Sequence, residues 1–354
     1  MGGQNSLGAA SMQLECGSFY AGQIVAGVIN ISLLKDINEC KVFLAFRGKE
    51  KTNWLSSDGK TEYNGKRKVC NFYYTLYNWP TGLKAGGYSL PFSFQLPEDI
   101  PGSFLYHVPQ SFLEQKRKAS IKYFLQSKLL TSTKEKIKAS SKITIFKPTK
   151  TILSNINFYK EAKLSTWCCV KKGICNIKAY IPQDTYNPTN CISVIAEIDN
   201  SQSTLDIHNL KYELRCSIRL KDNIGNLYYK KWNVLSHDEN IKISSGASLL
   251  SSSAVELKFN LPSVVDHFYK TYSTSAHLID CAFFLRIEAN MDGIFKCCGG
   301  HPIAKQKIYI VPDLVYCPPP PVAQAPPGWM PQMFDQVNVA YSNQYEMNTK
   351  ISYS

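Results

Sequence analysis

The amino-acid sequence predicts an all-β protein: two tandem antiparallel β-sandwiches followed by a disordered C-terminal tail. Three observations lead there. Apolar residues fall on every second position in several segments, most clearly Tyr88, Leu90, Phe92, Phe94 and Leu96, and again Tyr212, Leu214, Cys216, Ile218 and Leu220. That is the period of a strand with one buried face. No apolar stripe of helical period runs beyond about ten residues, which argues against an α/β fold. Two landmarks also recur at one spacing: Phe94-Gln-Leu-Pro97 returns 165 residues on as Phe259-Asn-Leu-Pro262, and Ile143-Thr-Ile-Phe-Lys-Pro148 returns as Ile308-Tyr-Ile-Val-Pro312, with the closing prolines 164 residues apart. Such spacing reads as a duplicated unit whose last strand is stopped by proline.

Taken in order, residues 1–13 read as a flexible N-terminus, 14–148 as the first sandwich, 149–166 as a hinge, 167–313 as the second sandwich and 314–354 as a proline-rich tail. Strands are expected near 23–32, 41–47, 70–78, 87–97, 121–125 and 143–146 in the first sandwich. In the second they are expected near 174–181, 191–198, 212–220, 227–234, 255–261, 278–287 and 307–311. In Gly87-Tyr-Ser-Leu-Pro-Phe-Ser-Phe-Gln-Leu-Pro97 both prolines sit on the parity opposite the apolar stripe. They spare the core face but remove ladder donors, which suits an edge or bulged strand. The tail, with Cys317-Pro-Pro-Pro-Pro321 and Ala325-Pro-Pro-Gly-Trp-Met-Pro331, reads as a polyproline II segment. It could serve as an SH3- or WW-type ligand or as a plain spacer.

The chain of 354 residues carries a formal net charge of +13. Residues 1–150 hold 21 Lys and Arg against 10 Asp and Glu, whereas residues 151–354 hold 19 against 17. The basic half favours an anionic partner. Nucleic acid is disfavoured because no groove-reading or zinc-finger pattern accompanies the charge. Neither a spanning apolar run nor a secretory signal is visible, so the expected location is cytoplasmic.

Several segments together resemble the arrestin family, most closely its α-arrestin, or arrestin-domain-containing, branch. Gly87-x-x-x-Pro91-Phe92-x-Phe94-x-Leu96-Pro97, then Pro109-Gln-Ser111-Phe112, then Ile121-Lys-Tyr123 resemble the arrestin N-terminal domain. Gly173-Ile-Cys-Asn-Ile-Lys-Ala179, Tyr186-Asn-Pro-Thr, Asn200-Ser201 and Leu210-Lys-Tyr-Glu-Leu214 resemble the start of its C-terminal domain. The resemblance implies two immunoglobulin-like sandwiches of the arrestin fold. It also implies a non-enzymatic adaptor linking membrane cargo and receptor tails to endocytic or endosomal machinery. Strand addition, loop contacts and tail capture are the binding modes it suggests. A retromer-type arrestin-like scaffold subunit and a zinc-dependent structural or sensor protein are the alternatives. The tail departs from the family, because no Pro-Pro-x-Tyr motif follows its proline runs.

Three groups of residues stand out as sites. Met1-Gly2-Gly-Gln-Asn-Ser6 fits the myristoylation pattern, with Gly2 as acceptor, beside the reading of a plain glycine-rich terminus. Lys66, Arg67 and Lys68, with Lys116, Arg117 and Lys118, would attract lipid headgroups or phosphates if they gather on one surface; separately they are ordinary solvated side chains. Cys168, Cys169 and Cys175 with Cys297, Cys298 and His301 could surround a structural Zn²⁺ if both ends of the second sandwich's chain meet. Palmitoylation and buried thiols are the competing readings of these cysteines. Cys40, Cys70, Cys191, Cys216 and Cys281 read as core fillers. No nucleophile elbow, phosphate-binding glycine loop or paired carboxylates accompany them, so no enzyme is expected.

Overall fold

The computed structural model describes residues 6–109, 115–147, 152–166, 170–268, 271–291, 300–312 and 332–339. It divides into two compact units, residues 1–148 with 314–354, and residues 149–313.

The first unit contains β1 (Gly8–Leu14), β2 (Ser18–Tyr20), β3 (Ile24–Leu33), β4 (Cys40–Leu55), β5 (Glu62–Trp79), β6 (Gly86–Gln95), β7 (Phe104–Val108), β8 (Arg117–Thr131) and β9 (Lys136–Phe146). One sheet runs β1-β3-β6 and the other β2-β9-β8-β4-β5, with β7 on β8. The second unit contains β10 (Ser154–Thr166), β11 (Val170–Gln183), β12 (Thr185–Tyr186), β13 (Cys191–Ser203), β14 (Ile207–Lys221), β15 (Leu227–Glu239), β16 (Ser248–Leu249), β17 (Val255–Asn260), β18 (Thr274–Ser275), β19 (Ile279–Met291) and β20 (Ile303–Ile310). Its sheets are β10-β11-β13, with β16 and β17 both on β13, and β12-β20-β19-β14-β15 with β18 on β19.

The two units repeat one plan. β2 pairs in parallel with β9, and β12 in parallel with β20. β4, β5, β6 and β8 correspond in pairing to β14, β15, β17 and β19. The repeated Phe-x-Leu-Pro landmark has a common physical use. Phe94 on β6 crosses the sandwich to Phe46 on β4 with ring centroids 5.4 Å apart, and Phe259 on β17 crosses to Tyr212 on β14 at 5.0 Å. Two all-β sandwiches in tandem are therefore what the alternation and the repeat encode.

Tyr88, Leu90, Phe92, Phe94 and Leu96 are all buried, which is the core face that their spacing predicts. In the first core, Tyr123 stacks on Phe46 at 5.7 Å and donates its hydroxyl to the Pro101 carbonyl at 2.6 Å. The pair fits because Gly48 lies beneath it: a Cβ there would stand 2.6 Å from Tyr123 Cε1 and 2.9 Å from Cys70 Sγ.

Three segments differ from the sequence reading. The N-terminal stretch called flexible contributes β1, paired along its length with β3. The stretch read as a hinge contains β10, an edge strand paired with β11. Within the tail, β21 (Gln332–Met333) and β22 (Val337–Val339) lie on β6. The rest of the proline-rich segment is outside the described residues. Cys40, Cys70, Cys216 and Cys281 are buried as expected, whereas Cys191 is exposed.

Gly48→Ala forces a methyl group into a filled, fully buried aromatic contact. We expect it to lower stability by about 1–3 kcal/mol, read as a fall in the urea midpoint.

Candidate functional site

The sequence scatters lysines along β4, β5, β8 and β9; strand register gathers them. Residues opposite one another in neighbouring strands share a face and lie about 5 Å apart. On β4 the even-numbered side chains from Val42 to Trp54 are buried, so Lys41, Arg47, Lys49 and Lys51 point away from the core. Lys49 is in register with Lys122 of β8 and Lys68 of β5, and Lys51 with Ser120 and Lys66. Asn53 is in register with Lys118, and Lys128 with Lys138 of β9.

A bulge makes this convergence possible. Strand β5 carries an extra residue between the pairs Gly48↔Cys70 and Lys49↔Lys68. Without it, Lys66 and Lys68 would share the parity of the buried Cys70. The one-residue shift turns both to the outer face. It also leaves Arg67 on the opposite parity, in register with Glu50, whose side chain is buried. Arg47 closes one end of the lysine rows, with its guanidinium 5.0 Å from the centre of the exposed Tyr73 ring and donating to that hydroxyl. Glu62 lies at the other end. It accepts from Asn53 Nδ2 at 2.6 Å, and this hydrogen bond chiefly holds its carboxyl below the ordinary range.

Of the basic residues singled out from sequence, Lys66, Lys68 and Lys118 join this face. Arg67 does not, Arg117 stands opposite the buried Trp54, and Lys116 is an exposed loop residue beside Glu62. Sequence reasoning missed Lys49, Lys51 and Lys122. Their signal was the alternation Lys49-Glu50-Lys51-Thr52, but which strands flank it is a matter of register.

The matching sheet of the second unit handles its cations differently. Glu213 on β14 is completely buried. Its carboxylate lies 2.6 Å from Arg286, 2.8 Å from Arg215 and 3.2 Å from Lys211, and it accepts from Asn233 Nδ2 at 2.7 Å. Burial alone would raise its pKa, but the hydrogen bonds from Arg286 and Lys211 and the charges of Arg215 and Arg286 outweigh it, so the net shift is downward. In the first unit the registered rows around Lys49 and Lys51 contain no carboxylate, and Glu50, the acid between them, faces inward.

Of the cysteine expectation, Cys175 and His301 lie among the described residues. Cys175 is fully buried on the core side of β11, and burial pushes its thiol up to about 12, with Asp199 adding to the effect. Its surroundings are those of a buried thiol, one of the competing readings of these cysteines. His301 Nδ1 accepts the Met291 backbone N–H at 3.1 Å. Cys168, Cys169, Cys297, Cys298 and Gly2 lie outside the described residues. Among the described residues, no group of three or more His, Cys, Asp or Glu side chains is placed to hold a metal ion.

Comparison with known proteins bears on the fold directly. Residues 13–151 match the family model "Arrestin (or S-antigen), N-terminal domain", and residues 171–313 match "Arrestin (or S-antigen), C-terminal domain". The chain belongs to the arrestin family. Its similarity is of the arrestin-domain-containing, α-arrestin type. It is 23% identical over 289 residues to Arrestin domain-containing protein A of Dictyostelium discoideum, covering 72% of this chain and 49% of that protein. It is 23% identical over 200 residues to Arrestin domain-containing protein 5 of Bos taurus, covering 52% of this chain and 56% of that protein. The chain thus spans about half the length of the curated relatives it matches. Arrestin-family proteins are in general non-enzymatic adaptors. No helix among the described residues is long and apolar enough to cross a membrane.

The buried acid sets a pH dependence. Because the folded-state pKa of Glu213 is depressed, the stability it contributes is present above the unfolded carboxylate value near about 4.3. That contribution disappears as pH falls through the folded value. Glu213→Gln should flatten the acid limb of a urea-midpoint-against-pH curve below about pH 5. An unchanged limb would contradict the assigned role.

Proposed function

We propose that this arrestin-family protein is an adaptor that links membrane cargo to endocytic or endosomal trafficking, with the outer face of β5, β4, β8 and β9 lying against an anionic membrane surface. One observation carries the reading: Lys49 faces Lys68 and Lys122 directly across the sheet, and Lys51 faces Lys66. Like charges placed directly opposite one another destabilise a sheet. Lys49, Lys51 and Lys68 thus gather positive charge on one outward face, which an external anion would stabilise. Arrestin-family proteins typically bind membrane receptors and trafficking machinery, which is the setting in which such an anion occurs.

Myristoylation of Gly2 fits the same reading. A single acyl chain holds a membrane only marginally, and a basic face is the usual second signal. The proline-rich residues 317–331 would then recruit SH3- or WW-type partners.

Two neutralising substitutions separate function from folding. Each lysine near an anionic surface is worth about 1 kcal/mol, so Lys49→Gln with Lys51→Gln should weaken binding to phosphatidylserine-containing vesicles about 30-fold at low salt. The thermal midpoint should hold or rise as the repulsion is removed. Equal vesicle affinity for the doubly substituted and native chains, measured by co-sedimentation, would sink the proposal.

A further inference from the structure

Strand β9 bounds the lysine face on the side away from β5, and its residues alternate without interruption. Ile137, Ala139, Ser141, Ile143 and Ile145 are buried, so Lys136, Lys138, Ser140 and Lys142 share the outer face, and all four are exposed. On the side of β9 away from β8, strand β2 pairs only with Thr144, Ile145 and Phe146. Among the described residues, no strand pairs with that side of β9 from Lys136 to Ile143. Ser140 therefore lies in extended backbone at an open edge, with its side chain turned to solvent.

Register fixes what surrounds it. Ser140 is opposite Gln126 of β8, and the flanking pairs are Lys138 with Lys128 and Lys142 with Phe124. Lys138 and Lys142 stand two residues to either side on the same face, about 7 Å along the strand. Lys128 is a diagonal neighbour across the ladder, within reach of a long side chain. No carboxylate is in register with any of these lysines: Lys128 has Phe43 of β4 on its other side. The sequence carries Lys-Ala-Ser twice on this sheet, as Lys118-Ala119-Ser120 on β8 and Lys138-Ala139-Ser140 on β9. The first has the denser basic run before it, but Ser120 is buried, as is Ser127 farther along β8. Thr75 on β5 is exposed but has tyrosine, not lysine, two residues to either side. Ser140 joins exposure to flanking cations.

We propose that Ser140 accepts a phosphoryl group from a serine/threonine kinase that reads basic flanking residues, and that this phosphate releases the lysine face from an anionic membrane. The proposal rests on the membrane reading of that face and adds its regulation. In the transfer, Ser140 Oγ attacks the γ-phosphorus of kinase-bound ATP. The Oγ–P bond forms while the bond from that phosphorus to the bridging oxygen breaks, ADP leaves with the electron pair, and the hydroxyl proton passes to the kinase's base carboxylate. Lys136 and Lys138 before the acceptor and Lys142 after it supply the basic flanks. The product carries about −1.5 to −2 charge at pH 7. It gives Lys138, Lys142 and Lys128 a charge-assisted hydrogen-bond acceptor on their own surface. Basic clusters held to anionic lipid are released by phosphorylation for this reason: the face keeps its side chains but loses its net charge.

The test uses the full chain, the catalytic fragment of protein kinase C with magnesium and ATP, and phosphatidylserine-containing vesicles. Phosphate should enter Ser140 of the folded protein, mapped by mass spectrometry. Taking about two charges from the face should weaken vesicle binding about 30-fold at low salt, while the thermal midpoint holds or rises. Ser140→Ala given the same treatment should keep native affinity, and Ser140→Glu, which adds one negative charge, should weaken binding about fivefold. A folded chain that takes no phosphate at Ser140 would overturn the modification site. Full phosphate occupancy at Ser140 with vesicle affinity unchanged would overturn the release and leave the membrane reading standing. A native chain that binds no vesicles removes the membrane reading, and the release with it.

Discussion

The first sandwich is organised around the cross-sheet contact of the Phe94 ring of β6 with Phe46 of β4, joined by Tyr74 of β5. Once these two rings meet, the parity of both strands is settled. Every even residue from Tyr88 through the end of β6 turns inward with Phe94, as does Leu96 just beyond it, and the even residues of β4 turn inward with Phe46. Odd residues must then face solvent or a further strand. The lysines of β4 are odd, and so is Pro91. A packing decision about two phenylalanines thereby sets which side chains a membrane or another chain can reach. The second sandwich repeats the contact with Phe259 and Tyr212, so the same rule orders the whole protein.

The repeated plan makes the electrostatic contrast between units meaningful. β14 and β4 occupy equivalent places, and both carry cations on their outward face. In β14 an acid, Glu213, sits among them with Arg286, Arg215 and Lys211 around it. In β4 the acid Glu50 falls on the buried parity, and the outward rows are left to lysine. One face thus holds a buried carboxylate among its cations, and its counterpart presents lysine rows with no carboxylate in register.

Much of this was legible from the chain alone. Strands with strong alternation, such as Gly86–Gln95 and Ile207–Lys221, announced themselves because burial on one face demands apolar residues at period two. Strand β10 was missed because it is an edge with little to bury: of Ser154–Thr166 only Phe158, Leu164 and Thr166 are buried. Strand β1 was missed for the same reason, with only its two ends buried. The lysine rows needed more than parity. Lys66 and Lys68 reach the outer face only through a bulge in β5, and no local pattern marks where an extra residue will be tolerated. The tail strands were hidden because their partner is more than two hundred residues away and the segments themselves are only two and three residues long.

Pro91 has one more consequence. An uncovered strand edge is an invitation to copies of the same protein, which can stack ladder upon ladder toward a fibril. With its outward donor missing in mid-strand, β6 offers any newcomer a broken template, and at the break the Tyr77 hydroxyl lies 2.7 Å from both the Pro91 and the Asp335 carbonyl oxygens. The residue that shortens the chain's own hold on β6 also makes that edge a poor seed for self-association.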